Sequence, residues 1–204
     1  MRDLARSRGA DSVAAVRGLL DVVGVGSLAF VGTMFDDYFA FGAQLIVTDR
    51  ARYRRVATGQ ALGVAAVVAI SAAVGSLLAV VPLRAIGLLA IAPIALAVHA
   101  WRHRRDERRT VFRRGALTTF VVTLGLSGDN VAVWTPLLRA RGVVGGLGVV
   151  ATFAAWEALF VLSAMALAAH PRVVEWGTRR APLLVPWVYV GLGALILVEC
   201  HTLG

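Results

Sequence analysis

Lysine is absent from the 204 residues, and cysteine occurs once, at Cys200. A lone cysteine excludes an intramolecular disulfide and any metal site built from several thiolates. Without lysine there is no Walker-type phosphate loop, so ATP-driven work of that kind is excluded. Histidine is also sparse, with four residues, and no His-rich or Ser/His constellation accompanies the acids described below. Charge is scarce too: 16% of residues are charged against 58% hydrophobic, and the mean hydropathy is +0.75. Soluble domains run at roughly 45–50% apolar. The shortage of charge therefore excludes an ordinary soluble domain and places the chain among membrane proteins.

What charge there is has a pattern. All the positive residues are arginine, the net charge is +9, and the arginines fall in the gaps between apolar runs. That placement suits contact with lipid headgroups rather than with nucleic acid. The runs predict six membrane-spanning helices at about 18–48, 56–81, 85–101, 115–138, 142–169 and 182–200. Residues 1–17 read as a short tail, with Arg17 and Asp21 spaced to pair at the entrance of span one. No small-residue cleavage site follows the first run, so it is read as a retained span. Pro93 predicts a kink in span three. The whole of 1–204 reads as one transporter domain. Repeat one covers about 18–101, a basic loop covers 102–114, and repeat two covers about 115–200.

Counting arginines by side places 14 in the loops after spans one, three and five and 7 on the other side. The positive-inside rule puts the 14-Arg side in the cytoplasm and both termini outside. Two three-helix halves of opposite orientation form an inverted repeat, a design common in secondary transporters. The Ala, Val, Gly and Arg bias suggests a GC-rich bacterial genome.

Two stretches carry the chemistry. Asp36 and Asp37 interrupt an apolar run from Val22 to Val47, and Asp129 with Asn130 interrupts a run from Gly115 to Leu138. The two acidic elements are 93 positions apart. Glu157 lies near the centre of span five. A charged Asp at mid-bilayer costs about 2.5–3.5 kcal/mol on insertion scales, so such acids are functional candidates by default. Thr33 shares a helical face with Asp36 and Asp37, and Thr123 lies two turns from Asn130. Convergent carboxylate, amide and hydroxyl oxygens suit a divalent cation. Gly32, Gly125 and Gly128 permit local unwinding that frees carbonyl oxygens. Gln44 and Gln60 suit either the lining of a path or interhelical hydrogen bonds, Met34 suits packing more than service as a soft ligand, and Trp156 suits packing. His99 and His103 fall at a span end. Glu199-Cys200-His201 is a poor ligand group, because adjacent helical residues point apart.

Several elements together resemble the cadmium-resistance transporter (CadD-type) family, part of the LysE-like transporter superfamily. They are Thr33-x-x-Asp36-Asp37, Gly59-Gln60-x-x-Gly63, Gly87-Leu88-Leu89-x-Ile91-x-Pro93-Ile94, and Val122-Thr123 followed by Gly128-Asp129-Asn130. The resemblance runs through all six spans in order. It implies a bacterial inner-membrane exporter of divalent metal coupled to proton entry. Three departures harden the site: Met34 and Leu126-Ser127 stand where the family usually has asparagine and Asn-Gly, and Glu157 follows Trp156 where it has cysteine. Harder donors keep manganese and calcium open beside cadmium.

The expectation is therefore an all-α, polytopic, six-helix inverted-repeat exporter and not an enzyme. It needs no cofactor. Its metal substrate is held by Asp36, Asp37, Asp129, Asn130, Glu157 and Thr33, with protons as coupling ion and the lipid bilayer as setting. Pairing of two copies is left open. The alternatives are export of a cationic amino acid, whose ammonium group would meet the same acids, and a membrane enzyme or accessory subunit. The arginine count makes one prediction at once: a reporter fused after Gly204 is active only if it functions outside the cell. Activity of a reporter that needs the cytoplasm contradicts the topology.

Overall fold

The computed structural model describes the backbone of residues 2–102 and 116–202; within it the side chains of residues 2–14, 36, 96, 99, 100, 126, 181 and 182 fall outside the description. The predicted basic loop 102–114, apart from Arg102, therefore lies outside the described residues, as do His103 and the His99 side chain. Among the described residues all regular structure is helical: α1 (Arg2–Thr33), α2 (Phe35–Ile46), α3 (Tyr53–Leu77), α4 (Leu83–Ile86), α5 (Ile91–Arg102), α6 (Ala116–Leu126), α7 (Gly128–Leu167) and α8 (Pro171–Glu199). Among the described residues three stretches are long and apolar enough to cross a membrane: Ala15–Thr33, Arg50–Val80 and Gly128–Leu167. A fourth is Pro171–Arg180 with Leu183–Glu199, if that pair, bent by 60°, is one span. Leu62, Leu77, Leu117, Val121 and Leu159 are exposed on the outside of the helix assembly, where only hydrocarbon is a suitable solvent.

The helices differ from a row of six unbroken spans in specific ways. The predicted tail is helical and continuous with span one, since Arg2–Thr33 contains no proline and is rich in Ala, Leu and Arg. Span one then breaks at Met34, and span four breaks at Ser127. The segment around Pro93 tightens into a 3-10 turn over Gly87–Ala90 before α5 begins at Ile91. Pro93 is the third residue of α5, just past that tightened turn.

α7 is a hairpin rather than a rod. In a straight helix Trp134 and Phe153 would lie about 28 Å apart, yet their ring centroids are 4.6 Å apart. The reversal is at Gly142, with φ 63° and ψ −169°, a conformation that glycine tolerates and other residues resist. The arms are residues 128–141 and 143–167. Arg141, beside the bend, is largely buried and bonds Asp21 of α1 through Nη1 and Glu199 of α8 through Nη2, the latter at 2.6 Å. Asp21 thus pairs with Arg141 rather than with Arg17, which stays exposed on its own helix. One guanidinium ties the hairpin tip to the start of one apolar helix and the end of another.

The helices pack in two parallel pairs. Along α1 and the second arm of α7, Val22 meets Gly148, Gly26 meets Thr152 and Phe30 meets Phe160, so both run the same way. Along α3, Gly59 meets Ala116 and Gly63 meets Thr123 of α6, and Gly75 meets Thr135 of α7. Small residues at such interfaces let backbones approach, which is how helices associate where lipid removes the hydrophobic drive.

The approach at Gly59 generates a prediction. A Cβ there would overlap the Ala116 carbonyl oxygen, which belongs to the backbone and cannot swing aside. Gly59→Ala is expected to destabilise the protein by about 3 kcal/mol, the upper part of the usual overpacking cost. Gly18→Ala, where nothing lies within 4 Å, should not destabilise. Thermal unfolding in detergent measures both, and equal midpoints for the two variants contradict the packing.

Candidate cation site

Both breaks have a local cause. Thr33 donates its hydroxyl to the Ala29 carbonyl at 3.0 Å, and Ser127 donates to the Thr123 carbonyl at 2.5 Å. Such bonding to the carbonyl one turn back competes with the helical ladder and bends helices. Immediately afterwards the backbone leaves helical values, to φ −92° and ψ 6° at Met34 and φ −82° and ψ 23° at Ser127. A new helix then starts, carrying Asp36-Asp37 in the first turn of α2 and Asp129-Asn130 in the first turn of α7. Acids are favoured there by the helix dipole.

The predicted site residues fall into different surroundings. Asp129 accepts a hydrogen bond from the Tyr189 hydroxyl on Oδ2 at 2.5 Å, and its Oδ1 is buried without a partner. Asn130 is 1% exposed, and neither its amide oxygen nor its amide nitrogen has a partner. Glu157 is 7% exposed, and neither carboxylate oxygen has a partner. Thr33 is fully buried and accepts a hydrogen bond from Trp134 Nε1 at 3.2 Å, so both its hydroxyl roles are in use. Asp37 lines a small cavity with Gln44, Gln60 and Thr123. Asp36 lies on α2, but its side chain is outside the described set. Among the described residues no three His, Cys, Asp or Glu side chains form a metal-holding group.

The hairpin register brings two of these residues together. Trp134 on the first arm meets Phe153 on the second. One turn further from the bend on each arm, on the same faces, stand Asn130 and Glu157. By helical periodicity that puts them at the same level of the hairpin, and both carry buried polar atoms without a hydrogen-bond partner. Phe30 stacks on Trp134 at 6.0 Å and lies 5.7 Å from Phe153, so three rings seal the side towards the bend. Beyond Glu157, Phe160 meets Tyr38 at 5.3 Å and Phe41 at 5.7 Å, closing the other side. The rung is enclosed by rings above and below.

Other candidates resolve plainly. Gln44 donates to Thr119 at 2.8 Å, and Gln60 accepts from Thr123 at 2.7 Å, both across helices. Trp156 donates to Ser27 at 2.8 Å and Met34 is buried, so both pack. Glu199 is held by Arg141, Cys200 is buried and His201 is exposed, so these neighbours do not converge. A broader depression of about 590 Å³ is lined by Arg50, Tyr53, Arg54 and Met165 and has the wrong charge for a cation. Sequence reasoning missed Tyr189 and Trp134 as partners of the site. The available signal was weak: each is an aromatic with a polar tip inside an apolar helix, which needs a hydrogen-bond partner.

Residues 43–204 match the family model described as cadmium resistance transporter. Asp129, Asn130 and Glu157 lie inside the matched segment, and Thr33, Asp36 and Asp37 precede it. No curated protein and no solved structure matches the chain.

Proposed function

The chain belongs to the cadmium resistance transporter family, and from that premise we propose that it exports divalent metal ions across the bacterial cytoplasmic membrane. The observation that carries the proposal is the unpartnered rung of Asn130 and Glu157, with Asp129 Oδ1 on the adjoining residue. Each buried polar group left unpaired costs about 1–3 kcal/mol, more when charged. A bound cation repays that cost. Asp129 and Glu157 together carry the two negative charges that balance a divalent ion, and the Asn130 carbonyl adds a neutral oxygen. These donors are hard, so manganese stands beside cadmium as a substrate.

Six crossings in two inverted halves account for several features at once. The breaks at Met34 and Ser127 are 93 residues apart, as are Asp36 and Asp129, and Pro93 and Pro186. The Phe30–Phe153 contact, moved by that same interval, becomes the hydrogen-bonded pair Thr123–Gln60. Parallel packing of α1 with the second arm of α7, and of α3 with α6, is what six alternating crossings require of spans one and five and of spans two and four. α1–α2 and α6 with the first arm of α7 then act as the two broken helices typical of secondary transporters. The arginine-rich face is cytoplasmic and both termini are outside. Metal leaving the rung exposes two carboxylates, which must take up other cations before the site can turn back. That requirement is antiport, and it needs no ATP.

Uptake into inside-out vesicles, measured across cadmium, manganese, zinc and calcium, tests the proposal. Wild-type protein should accumulate at least one of these metals. Asp129→Asn and Glu157→Gln should each lower the initial rate at least tenfold at unchanged protein level. Normal rates in both variants contradict the assignment.

A further inference from the structure

The interval of 93 residues maps helices onto helices: α1 and α2 onto α6 and the first arm of α7, and α3 onto the second arm. Contacts divide these elements into two bodies. In one, α1 packs along the second arm through Val22–Gly148, Gly26–Thr152 and the Ser27–Trp156 hydrogen bond, and α2 joins the far end of that arm, where Gly42 meets Leu167. In the other, α6 packs along α3 through Gly59–Ala116 and Gly63–Thr123. The first arm joins the far end of α3, where Gly75 meets Thr135 and Arg139 donates to the Ala79 carbonyl. Glycines bring the helices together within each body. The chain passes between the bodies at Gly142 and at residues 47–52.

Where the bodies meet, two stretches are equivalent in sequence and unlike in structure. Towards the bend, Trp134 of the second body packs on Phe30 and Phe153 of the first, its indole donates to Thr33, and Arg141 bonds Asp21. Shifted by 93, Trp134, Phe153 and Phe30 become Phe41, Gln60 and Thr123. Those three residues line a small cavity. Rings fill the half towards the bend, and the equivalent half keeps a hollow with polar walls.

Resting on the transport reading above, we propose that metal crosses by rocking of these two bodies about the level of Asn130 and Glu157, and that this structure is the conformer closed to the outside and loose towards the cytoplasm. The moving units are spans one and five against spans two and four, not the first half of the sequence against the second. Asn130 rides on one body and Glu157 on the other, so the metal lies between the parts that move. On rocking, Phe41 closes onto Gln60 and Thr123 while Trp134 parts from Phe30 and Phe153. An inverted repeat supports this exchange, because one interface occurs twice in opposite orientations. The Arg141–Asp21 bond breaks in the same step, and the Asp21 side chain is 60% exposed, so water replaces it there. Gly142 is the joint: its φ of 63° and ψ of −169° lie in a region essentially reserved for glycine.

Cross-links test which contacts move, in a full-length Cys200→Ala parent assayed for uptake of the same four metals into inside-out vesicles. Val22→Cys with Gly148→Cys places two Cβ atoms 3.9 Å apart, and Gly75→Cys with Arg139→Cys places them 3.7 Å apart, both suited to a disulfide. Each pair lies inside one body, so oxidation should change the initial rate less than twofold. Gln44 and Thr119, hydrogen-bonded at 2.8 Å, lie across the bodies. A short bis-methanethiosulfonate bridge between Gln44→Cys and Thr119→Cys should lower the rate at least tenfold, and reductant should restore it. Reductant-reversible loss of transport in either disulfide pair overturns the proposal, as does full transport with the bridge in place. Single substitutions serve if a pair folds poorly. Gln44 and Leu137 are equivalents 93 apart, on the inner and outer halves of the interface. Without metal, a membrane-impermeant maleimide should reach Gln44→Cys from the cytoplasmic face at least tenfold faster than it reaches Leu137→Cys from outside. Equal rates, or the reverse order, overturn the assigned conformer. Failure of the parent to accumulate any of the four metals refutes the transport reading itself.

Discussion

Two buried polar side chains without hydrogen-bond partners, Asn130 and Glu157, stand at one level of a helical hairpin, and the fold is arranged around them. An unpaired carboxylate in low dielectric is among the most costly groups a fold can contain, and Glu157 has neither oxygen satisfied. The hairpin nonetheless encloses it, with Phe30, Trp134 and Phe153 on one side and Phe160 with Tyr38 and Phe41 on the other. Under the proposed transport reading, such a site holds a cation while enclosed and opens to release it. Tight enclosure and controlled opening are the two requirements of a transporter.

The surrounding architecture serves that rung. Gly142 lets α7 reverse, and Arg141 fixes the reversed tip to Asp21 and Glu199. The helix breaks at Met34 and Ser127 place acids at the starts of new helices instead of in the middle of rigid ones. Trp134 ties the two broken elements together by donating to Thr33, the residue before the first break. Close glycine contacts between α3 and α6 hold the first half against the second.

Much of this was legible in the sequence for a simple reason: lipid imposes strict rules. Apolar runs, arginine-rich gaps, intramembrane acids and the interval of 93 residues between them follow from local composition and need no knowledge of packing. The break positions were only partly legible. Glycines signalled unwinding, but the hydroxyls of Thr33 and Ser127 do the bending, through bonds to carbonyls one turn back. The hydrogen bond of Tyr189 to Asp129 and the pairing of Arg141 with Asp21 join residues 60 and 120 positions apart. No periodicity records such contacts. The divergence of Asp37 from Asn130 was hidden for a related reason, since equivalent positions in two halves acquire different neighbours when Gln60 faces one and Phe153 the other.

The central claim is that the rung is held at a cost to the metal-free protein and repaid by the ion. Thermal unfolding of the purified protein, with and without Cd²⁺ or Mn²⁺, tests it most directly when wild type is compared with Glu157→Leu. A ligand at a hundred times its Kd stabilises the folded state by about 2.7 kcal/mol, so wild type should melt several degrees higher with metal. Glu157→Leu should melt higher than wild type without metal and gain nothing when metal is added. A variant that melts lower without metal, yet still shifts upward with it, would contradict the account.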